Sequence, residues 1–308
     1  MNYQNNKSYY PYNQFLKQTF GGKTIKIPLD GGFTCPNIDG TKGIGGCTYC
    51  TKTPLPYRGK PLAEQFELAK IPLLKKWGRE GIEERYIPYF QTFSGTYAPV
   101  ERLRALYEEA LALPHVVGLS IATRCDCLTD EVVELLREIA ARTFLTVELG
   151  LQTIHEDTAR RIDRGHTYEE FLQGYEKLNG LNRCVHIING LPYETPEQML
   201  MTAKTVAALR PHEVKIHMLY LEEGTAMTES YHREPFPILS LSEYVAITVS
   251  QLEHFHPETV IGRLTGDGQA DRLVQPLWTR KKFEVLNAID QEFYRRGSYQ
   301  GCFWKDDR

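Results

Sequence analysis

The sequence predicts an α/β fold in which parallel strands form a sheet or a barrel with helices on the outside. Two observations predict it: short apolar segments alternate with helical segments along the chain, and helix-start signals follow several of the apolar segments. Consecutive strands joined by helices run parallel, and right-handed crossovers wind them into a sheet or barrel. The 308 residues, 42% of them hydrophobic, suffice for one large barrel-type domain or two smaller ones.

The first half of the chain begins with an aromatic segment over residues 3–20, which predicts an arm or short helix. Lys23–Asp30 places alternate apolar residues on one face and predicts the first strand. Further strands are predicted at Tyr86–Phe93 and Val116–Thr123. Helices are predicted at 62–78, at Pro99–Leu113, where Pro99 suits a first turn, and after the capping residue Thr129.

The second half continues the alternation. Strands are predicted at Phe144–Gly150, Cys184–Asn189 and Glu213–Tyr220, with helical segments near 155–163 and 167–179. Thr195-Pro196-Glu197-Gln198 and Ser240-Leu241-Ser242-Glu243 are capping boxes, so each predicts the start of a helix. Leu277–Arg296 predicts a final packing helix.

Three of these strands carry polar residues on the face opposite their apolar one: Thr146, Glu148, Gln152, His186, Lys215 and His217. Because the apolar face packs under the outer helices, the polar row should point into the barrel. Burying such groups without partners costs roughly 1–3 kcal/mol each, so the row predicts a wet or ligand-binding cavity. The alternative for any single residue is a polar group whose hydrogen bonds are satisfied within the core.

Cys35, Cys47 and Cys50 lie in a glycine-rich loop after the first predicted strand, with the spacing C-x11-C-x2-C. Thiolates select zinc and iron–sulfur clusters, and with no fourth cysteine in the loop a metal here would keep an open position. Three interpretations stand on these residues: a redox dithiol of Cys47 and Cys50, a zinc loop completed by a distant histidine, and a [4Fe–4S] cluster on three cysteines. The cluster fits the count best, since the dithiol leaves Cys35 without a role.

The loop sequence C-P-N-I-D-G-T-K-G-I-G-G-C-T-Y-C resembles the cluster loop of a bacterial subgroup of the radical S-adenosylmethionine (radical SAM) superfamily, similar to the radical SAM domain of the Elongator catalytic subunit. Its gap of eleven residues departs from the usual C-x3-C-x2-C motif. Other segments resemble that subgroup in the right order, and together they cover nearly the whole chain: Glu148-Leu149-Gly150-Leu151-Gln152, Arg164, Gly190-Leu191-Pro192 and Arg263-Leu264-Thr265-Gly266-Asp267.

The resemblance implies a partial (β/α)6 TIM-like barrel of radical SAM type over residues 23–262. It places a short N-terminal arm at 1–22 and a C-terminal extension, packed on the barrel, at 263–308. It also implies an enzyme that cleaves S-adenosylmethionine reductively at a [4Fe–4S] cluster and generates a 5′-deoxyadenosyl radical. Because Elongator-like relatives act on tRNA uridines, tRNA modification is the leading hypothesis for the substrate.

The resemblance also implies the site residues. It assigns the cluster to Cys35, Cys47 and Cys50. It assigns contacts with S-adenosylmethionine to Ser94, Gly95, Thr96, Glu148, Gln152, Arg164 and His186. In this assignment the Arg164 fork pairs with the methionine carboxylate, and the backbone of 94–96 lies beside the methionine amino group. Gln152 bonds the nucleoside or methionine part, and the turn 190–192 lines the adenine pocket.

The remaining cysteines and a basic segment allow two interpretations each. Cys125, Cys127 and Cys184 could complete a second cluster, although free cysteines are commonly small buried hydrophobic residues. Basic residues at 280–282 and 295–296, followed by the aromatic Phe303 and Trp304, could hold tRNA. The alternative is a solvated helix face.

Composition limits the partners. A net charge of −3 and a pI near 6.3 argue against a protein that coats nucleic acid generally. Neither an apolar run near the ~20 residues of a membrane span nor a signal peptide is present, and an odd number of cysteines argues against a secreted disulfide framework. We therefore predict a cytoplasmic protein with no membrane contact. The resemblance implies its partners: a flavodoxin- or ferredoxin-like reductant and, as the leading hypothesis, tRNA.

Two other functions are compatible with the sequence. One is a non-catalytic protein that binds zinc or docks RNA on the barrel. The other is a radical SAM enzyme that acts on a small molecule. Iron content and cleavage of S-adenosylmethionine separate the first alternative from an enzyme.

Overall fold

The computed structural model describes residues 7–77, 83–266 and 268–305. Seven parallel strands form one curled sheet, a half-barrel with helices on its outer face. The strands are β1 Ile25–Leu29, β2 Tyr86–Phe90, β3 Gly118–Thr123, β4 Phe144–Gln152, β5 Asn182–Asn189, β6 Glu213–Met218 and β8 Val260–Arg263, in that spatial order. Two short antiparallel strands, β7 Leu221–Glu222 and β9 Leu273–Gln275, form a separate pair.

Ten α-helices are assigned within the described residues. They are α1 Tyr12–Phe20, α2 Leu62–Trp77, α3 Val100–Leu111, α4 Asp130–Ala140, α5 Glu156–Arg161, α6 Tyr168–Lys177, α7 Pro196–Ala208, α8 Ala226–Arg233, α9 Leu241–Leu252 and α10 Lys282–Arg296. Short 3-10 turns lie at Cys125–Cys127 and Leu277–Arg280. The predicted final helix Leu277–Arg296 is therefore shorter than expected: its first four residues form a 3-10 turn, and the α-helix begins at Lys282.

Local capping explains where several helices begin. The Thr129 hydroxyl accepts a hydrogen bond from the Val132 N–H, as predicted. Both predicted capping boxes, at Thr195 and Ser240, are present. A third box at Thr167, which the sequence analysis did not mark, begins α6.

The predicted α/β half-barrel is confirmed, and it contains one strand more than expected. Val260–Arg263 pairs in parallel with β6 and closes the far edge of the sheet. This segment is only four residues long and contains Gly262, so its pattern was too short to indicate a strand. Near the same edge, the Ile261 N–H donates to the Tyr10 carbonyl over 2.8 Å, which ties the N-terminal segment to the barrel.

Strand faces follow the predicted alternation. The apolar residues of β4 and β5, including Leu145, Val147, Leu149 and Val185, are buried in the main core. The C-terminal α10 packs against α9. The domain boundaries at 22/23 and 262/263 stay predictions. In the part of the chain described here, no helix is both long enough and apolar enough to cross a membrane.

Candidate cofactor site

The cysteine loop leaves β1 at the carboxyl end of the half-barrel, the end where barrel ligands bind. It is held by its own backbone: the Ile38 N–H donates to the Cys35 carbonyl at 2.8 Å, and the Gly46 N–H to the Asn37 carbonyl at 2.7 Å. Gly46 has φ 76°, a left-handed conformation that a side chain would strain. The glycines of the loop therefore let it fold back so that Cys47 approaches Cys35.

The three loop thiols face one cavity of about 220 Å³. Its other wall comes from the carboxyl ends of the strands and the loops that follow them. Residues on that wall include Gln91, Phe93, Ser94, Thr123, Arg124, Glu148, Gln152, Arg164, His166 and His186. The structure thus brings the three predicted cluster cysteines together with five of the seven predicted cofactor residues.

Cys47 and Cys50 lie in an environment that favours the protonated thiol until a metal binds. Burial raises the pKa of Cys47, and the nearby Arg124 guanidinium opposes that rise. Burial also raises the pKa of Cys50, and the neighbouring Cys35 adds to the rise. Metal binding here must therefore release protons. Three soft sulfur donors from a single loop suit an iron–sulfur cluster that keeps one position open.

Arg164 is almost fully buried, with 1% of its surface exposed. Its Nη1 donates to the carbonyls of Leu151 and Thr153, and its Nε donates to the carbonyl of His166. Its Nη2 is buried without a hydrogen-bond partner among the described residues, and the Glu156 Oε1 lies 3.9 Å away. Since burial lowers the pKa of Arg164, a bound carboxylate would relieve an unfavourable state. The pairing of Arg164 with the methionine carboxylate stays a prediction.

The segment Ser94–Thr96 contributes less to the cavity wall than the sequence predicts, since only one of its three residues lines the cavity. Ser94 is buried on the cavity wall, whereas Gly95 and Thr96 are not among the described wall residues. The Gly95 N–H donates to the Ala122 carbonyl at 2.8 Å, and the Thr96 hydroxyl bonds Thr123 at 2.6 Å. A Cβ at Gly95 would lie 2.8 Å from that same Ala122 oxygen, so glycine is required there for packing. Their contact with a cofactor stays a prediction.

Gln152 ends β4 in a left-handed conformation, with φ 65°, and Phe93 after β2 has φ 61°. Such conformations cost about 1–3 kcal/mol for residues other than glycine and are concentrated at ligand sites. The predicted strand Tyr86–Phe93 ends at Phe90, before this turn. Both strained residues lie on the cavity wall.

Glu148 and His186 are hydrogen-bonded to each other, with 2.8 Å between the Glu148 Oε2 and the His186 Nε2. Burial lowers the pKa of His186 to about 4, despite the opposing effect of Glu148, so the ring is neutral at pH 7. Burial alone would raise the pKa of Glu148, but Lys215 and Lys26 lower it well below its usual value. Glu148 is therefore an ionised carboxylate and Nε2–H of His186 is the donor.

Arg124 is a site residue that the sequence analysis missed. Its guanidinium bonds both oxygens of Asp126, at 2.9 and 2.8 Å, and its Nη1 donates to the Arg164 carbonyl at 2.7 Å. It is close enough to Cys35 and Cys47 for their charges to interact. The Arg-Cys-Asp-Cys sequence directly after β3 was the available signal, but its two cysteines indicated a metal site and not a role for the arginine.

A second cluster on Cys125, Cys127 and Cys184 is not supported. All three are buried. Among the described residues, Cys184 groups with Glu148 and His186, whereas Cys125 groups with Asp126 and His166. Arg124 and two lysines already neutralise the carboxylates of these groups, which disfavours a cation there. Cys125, Cys127 and Cys184 are therefore interpreted as small buried residues of the core.

Two further predicted segments lie apart from this cavity. The turn Gly190-Leu191-Pro192 directly follows β5, and Gly190 lines a separate gap of only about 10 Å³ with Leu239 and Trp278. Arg263 instead lines a larger cavity, and Asp267 lies outside the described residues. The assignment of this turn to the adenine pocket stays a prediction.

A larger cavity of about 850 Å³ is lined by residues of β1, β2, β6 and β8 and adjoins the first one, since Cys50, Gln91 and Phe93 line both. It extends from the cysteine loop to α1, where Tyr12 and Leu16 form its floor. A molecule in this space would lie directly beside the thiol cavity.

The sequence matches two family models: the radical SAM superfamily over residues 43–206, and the radical SAM C-terminal domain over residues 211–295. A Bacillus subtilis protein, YtqA, is 46% identical over 305 residues, covering 97% of this chain and 94% of that protein. A Methanocaldococcus jannaschii protein named tRNA uridine(34) acetyltransferase is 29% identical over 163 residues, covering 47% of this chain and 29% of that protein.

Among solved structures, the fold is similar to that of Elp3 from Methanocaldococcus infernus, with a TM-score of 0.64 at 18% identity. The match covers 90% of this chain and 64% of that one, so the archaeal protein has further parts that this chain does not match. The resemblance and the cofactors inferred from the sequence are thus confirmed at the level of the family. The chain belongs to the radical SAM superfamily of enzymes and uses a [4Fe–4S] cluster and S-adenosylmethionine.

Proposed function

We propose that this enzyme modifies a uridine of tRNA by radical chemistry. The observation that carries the proposal is the pair of adjoining cavities, one beside the three thiols and one large enough for a nucleoside. The partial similarity to a tRNA uridine(34) acetyltransferase supports tRNA as the substrate. This chain matches only 29% of that protein, so we do not carry over its acetyl transfer.

In this proposal Cys35, Cys47 and Cys50 hold the cluster, and S-adenosylmethionine lies across the smaller cavity. When bound, the cluster and the cofactor supply one-electron cleavage of the cofactor and hydrogen abstraction from the substrate. The chain's own residues orient the cofactor: Arg164 Nη2 takes the carboxylate, and Gln152 and the neutral His186 face the nucleoside. The half-buried position of the thiols limits the access of water to the reacting atoms.

The proposal requires two partners. A flavodoxin- or ferredoxin-like protein would deliver the electron, and tRNA would supply the substrate base, which sets the reaction in the cytoplasm. The basic C-terminal segment is a weaker candidate for binding tRNA than its sequence indicates. Arg295 and Arg296 both bond Glu292 at 2.7 Å, and Lys281 pairs with Glu284 at 2.9 Å. Phe303 remains 58% exposed and could stack on a base.

A comparison of tRNA nucleosides from cells with and without the gene tests the function. We expect one modified uridine to disappear, with its precursor accumulating, when the gene is deleted. Wild-type protein should restore it and the Cys47→Ala variant should not. Identical nucleoside profiles in both strains, measured under conditions where the protein is expressed, would contradict tRNA modification.

A small-molecule substrate is the second candidate. The paired charges of the C-terminal segment favour it, because they leave little uncompensated positive surface for RNA there. Salt dependence separates the two: tRNA binding should weaken steeply as salt rises, through counterion release, whereas a small ligand responds far less. A zinc scaffold predicts zinc rather than iron after anaerobic reconstitution, and no cofactor cleavage.

A further inference from the structure

The polar residues of the lumen converge on one carboxylate. Glu148 on β4 accepts a hydrogen bond from one residue on each of the strands β1, β2, β3, β5 and β6. These donors are Lys26 and Ser120 to Oε1, at 2.6 and 2.8 Å, and Tyr89, His186 and Lys215 to Oε2, the first two at 2.8 Å. A carboxylate offers about four acceptor positions. Glu148 is therefore saturated by the protein, and no acceptor position is left for a cofactor.

This cluster, Lys26–Glu148–Lys215, carries more positive than negative charge. The side chains are 17%, 0% and 8% exposed respectively, so solvent compensates little of it. Burial alone would lower the pKa of Lys26, but Glu148 raises it well above its ordinary value, which keeps the ammonium charged. Two ammonium groups thus share one carboxylate. Buried charge without a partner is strongly unfavourable, and a second anion would relieve it.

Both lysines face the larger cavity, whereas Glu148 and His186 face the smaller one. The two ammonium groups lie 5.0 and 4.9 Å from the centroid of the Tyr89 ring, and that of Lys26 also lies 4.8 Å from the centroid of Tyr12, which lines the larger cavity. Each ammonium has three donors, and each gives one to Glu148. Within the described residues, further donors of Lys26 and Lys215 can therefore serve a ligand in the larger cavity.

The other charged side chains that line the larger cavity are also mostly basic. Its described lining includes five basic side chains, those of Lys23, Lys26, Lys52, Lys215 and Arg263, and one acidic side chain, that of Glu213. Glu213 is 1% exposed, and its oxygens have the weak Cys184 thiol as their only hydrogen-bonding neighbour among the described residues. Burial raises the pKa of Glu213, and the nearby Lys26 and Lys215 oppose that rise. With Glu148 and Glu213 both counted as anions, Lys26, Lys52 and Lys215 still outnumber them.

We propose that the larger cavity is the substrate site and that Lys26 and Lys215, both hydrogen-bonded to Glu148, bind an anionic oxygen group of the substrate. The group is a carboxylate or a phosphate, the two anions that ammonium donors bind. This inference deepens the proposed function, and rests on it in taking the substrate to be a uridine derivative that enters the lumen. Glu148 is in this view a positioning residue, an alternative to its predicted role as a cofactor contact, which stays a prediction.

Binding of two matched probes tests the site. Orotate is a uracil that carries a carboxylate, and uracil is the same ring without it. We expect the reconstituted enzyme to bind orotate at least ten-fold more tightly than uracil in calorimetric titrations. Lys26→Met and Lys215→Met should each weaken orotate binding by about ten- to hundred-fold, the loss typical of a charged hydrogen bond, and leave uracil binding unchanged. Inorganic phosphate should compete with orotate.

The control is Lys177→Met, which removes a lysine that pairs with Asp130 on the surface, outside either cavity. It should bind both probes as the parent does. Lys26→Gln, which keeps a donor to Glu148, replaces Lys26→Met if that variant fails to fold. Equal affinities of the parent for orotate and uracil, or no orotate binding at millimolar concentration, would overturn the site regardless of the variants.

The outcome is separate from that of the proposed function. The titrations need neither tRNA nor a reductant, so a loss of tRNA modification activity leaves them interpretable. Orotate binding as expected with no tRNA phenotype would retain the anion site and reject tRNA as the substrate. A tRNA phenotype with no preference for orotate would retain the function and reject the anion site.

Discussion

The two cavities differ in how far the protein satisfies its own polar groups. On the thiol side, Arg164 presents a buried nitrogen that has no hydrogen-bond partner in the part of the chain that the structure describes, and the three cysteines form no disulfide there. In the lumen, Glu148 has five donors around two oxygens. Arg164 therefore lacks a ligand, whereas Glu148 is fully hydrogen-bonded and joins five strands of the sheet, and the two lysines beside it carry the positive charge that we assign to the substrate. The unsatisfied Arg164 nitrogen thus marks the cofactor side, and the saturated Glu148 marks the scaffold.

This difference predicts opposite effects of substitution. Changes on the thiol side should remove cluster or cofactor binding while the fold survives. Changes at the centre of the lumen should reduce stability first. Substitutions at the loop cysteines, Glu148, Arg164 and His166 test this contrast, and their expected effects decrease in that order.

The largest effect is expected at the cysteine loop. Cys35→Ala, Cys47→Ala and Cys50→Ala should each abolish the iron–sulfur absorbance and most of the bound iron, because a cluster with an open position has only three protein ligands. Iron content and the visible spectrum after anaerobic reconstitution measure this. Cys302→Ala, a half-buried cysteine outside the loop, is the control and should keep both. Full iron in Cys47→Ala protein would show that the cluster assignment is wrong.

The next effect is expected at Glu148. Glu148→Ala leaves two buried lysines without their counter-ion, and removing one partner of a buried ion pair typically costs about 3–5 kcal/mol. The free energy of unfolding in urea measures this loss. Glu138→Ala removes a surface carboxylate that pairs with Arg104 and should cost about 1 kcal/mol at most. Equal stabilities of these two variants would contradict the role of Glu148 as the centre of the lumen.

The contrast also explains what the sequence could reveal. The βα alternation, the Thr129 cap and the polar row on the strands were all visible, because periodicity and capping are local. That Lys26 and Lys215, from strands five places apart in the sheet, meet at Glu148 was not visible, since it depends on how the sheet curls. Arg124 was missed for the same reason: only the fold brings it to Cys35. The four-residue strand β8 was too short to detect.

A smaller loss is expected at Arg164. Arg164→Ala should weaken S-adenosylmethionine binding by about ten- to hundred-fold, because one charge-assisted hydrogen bond contributes about 1.5–3 kcal/mol. The cluster should remain, since Arg164 supplies no ligand to it. Calorimetric titration of the reconstituted protein measures the affinity, and iron content serves as the internal check. Arg160→Ala, an exposed neighbour that pairs with Asp157, is the control. Unchanged affinity in the Arg164 variant would remove the proposed carboxylate contact.

The smallest effect concerns His166, on the wall of the thiol cavity. Burial, with Arg164 and Arg124 nearby, lowers the pKa of His166 to about 3, against an ordinary value of 6.5. Between these two values the unfolded chain takes up a proton that the folded protein excludes, so His166 makes stability fall as the pH decreases through this window. The contribution is about 1.4 kcal/mol per pH unit for one histidine.

His166→Asn removes this titration. The urea stability of the metal-free variant should therefore decline less steeply between pH 6 and pH 4.5 than that of the parent. His115→Asn changes an exposed ring and serves as the control, which should follow the parent. Parallel pH profiles for the His166 variant and the parent would mean that His166 is protonated in the folded state. The thiol side would then be well hydrated before any ligand binds, and the contrast between the two cavities would disappear.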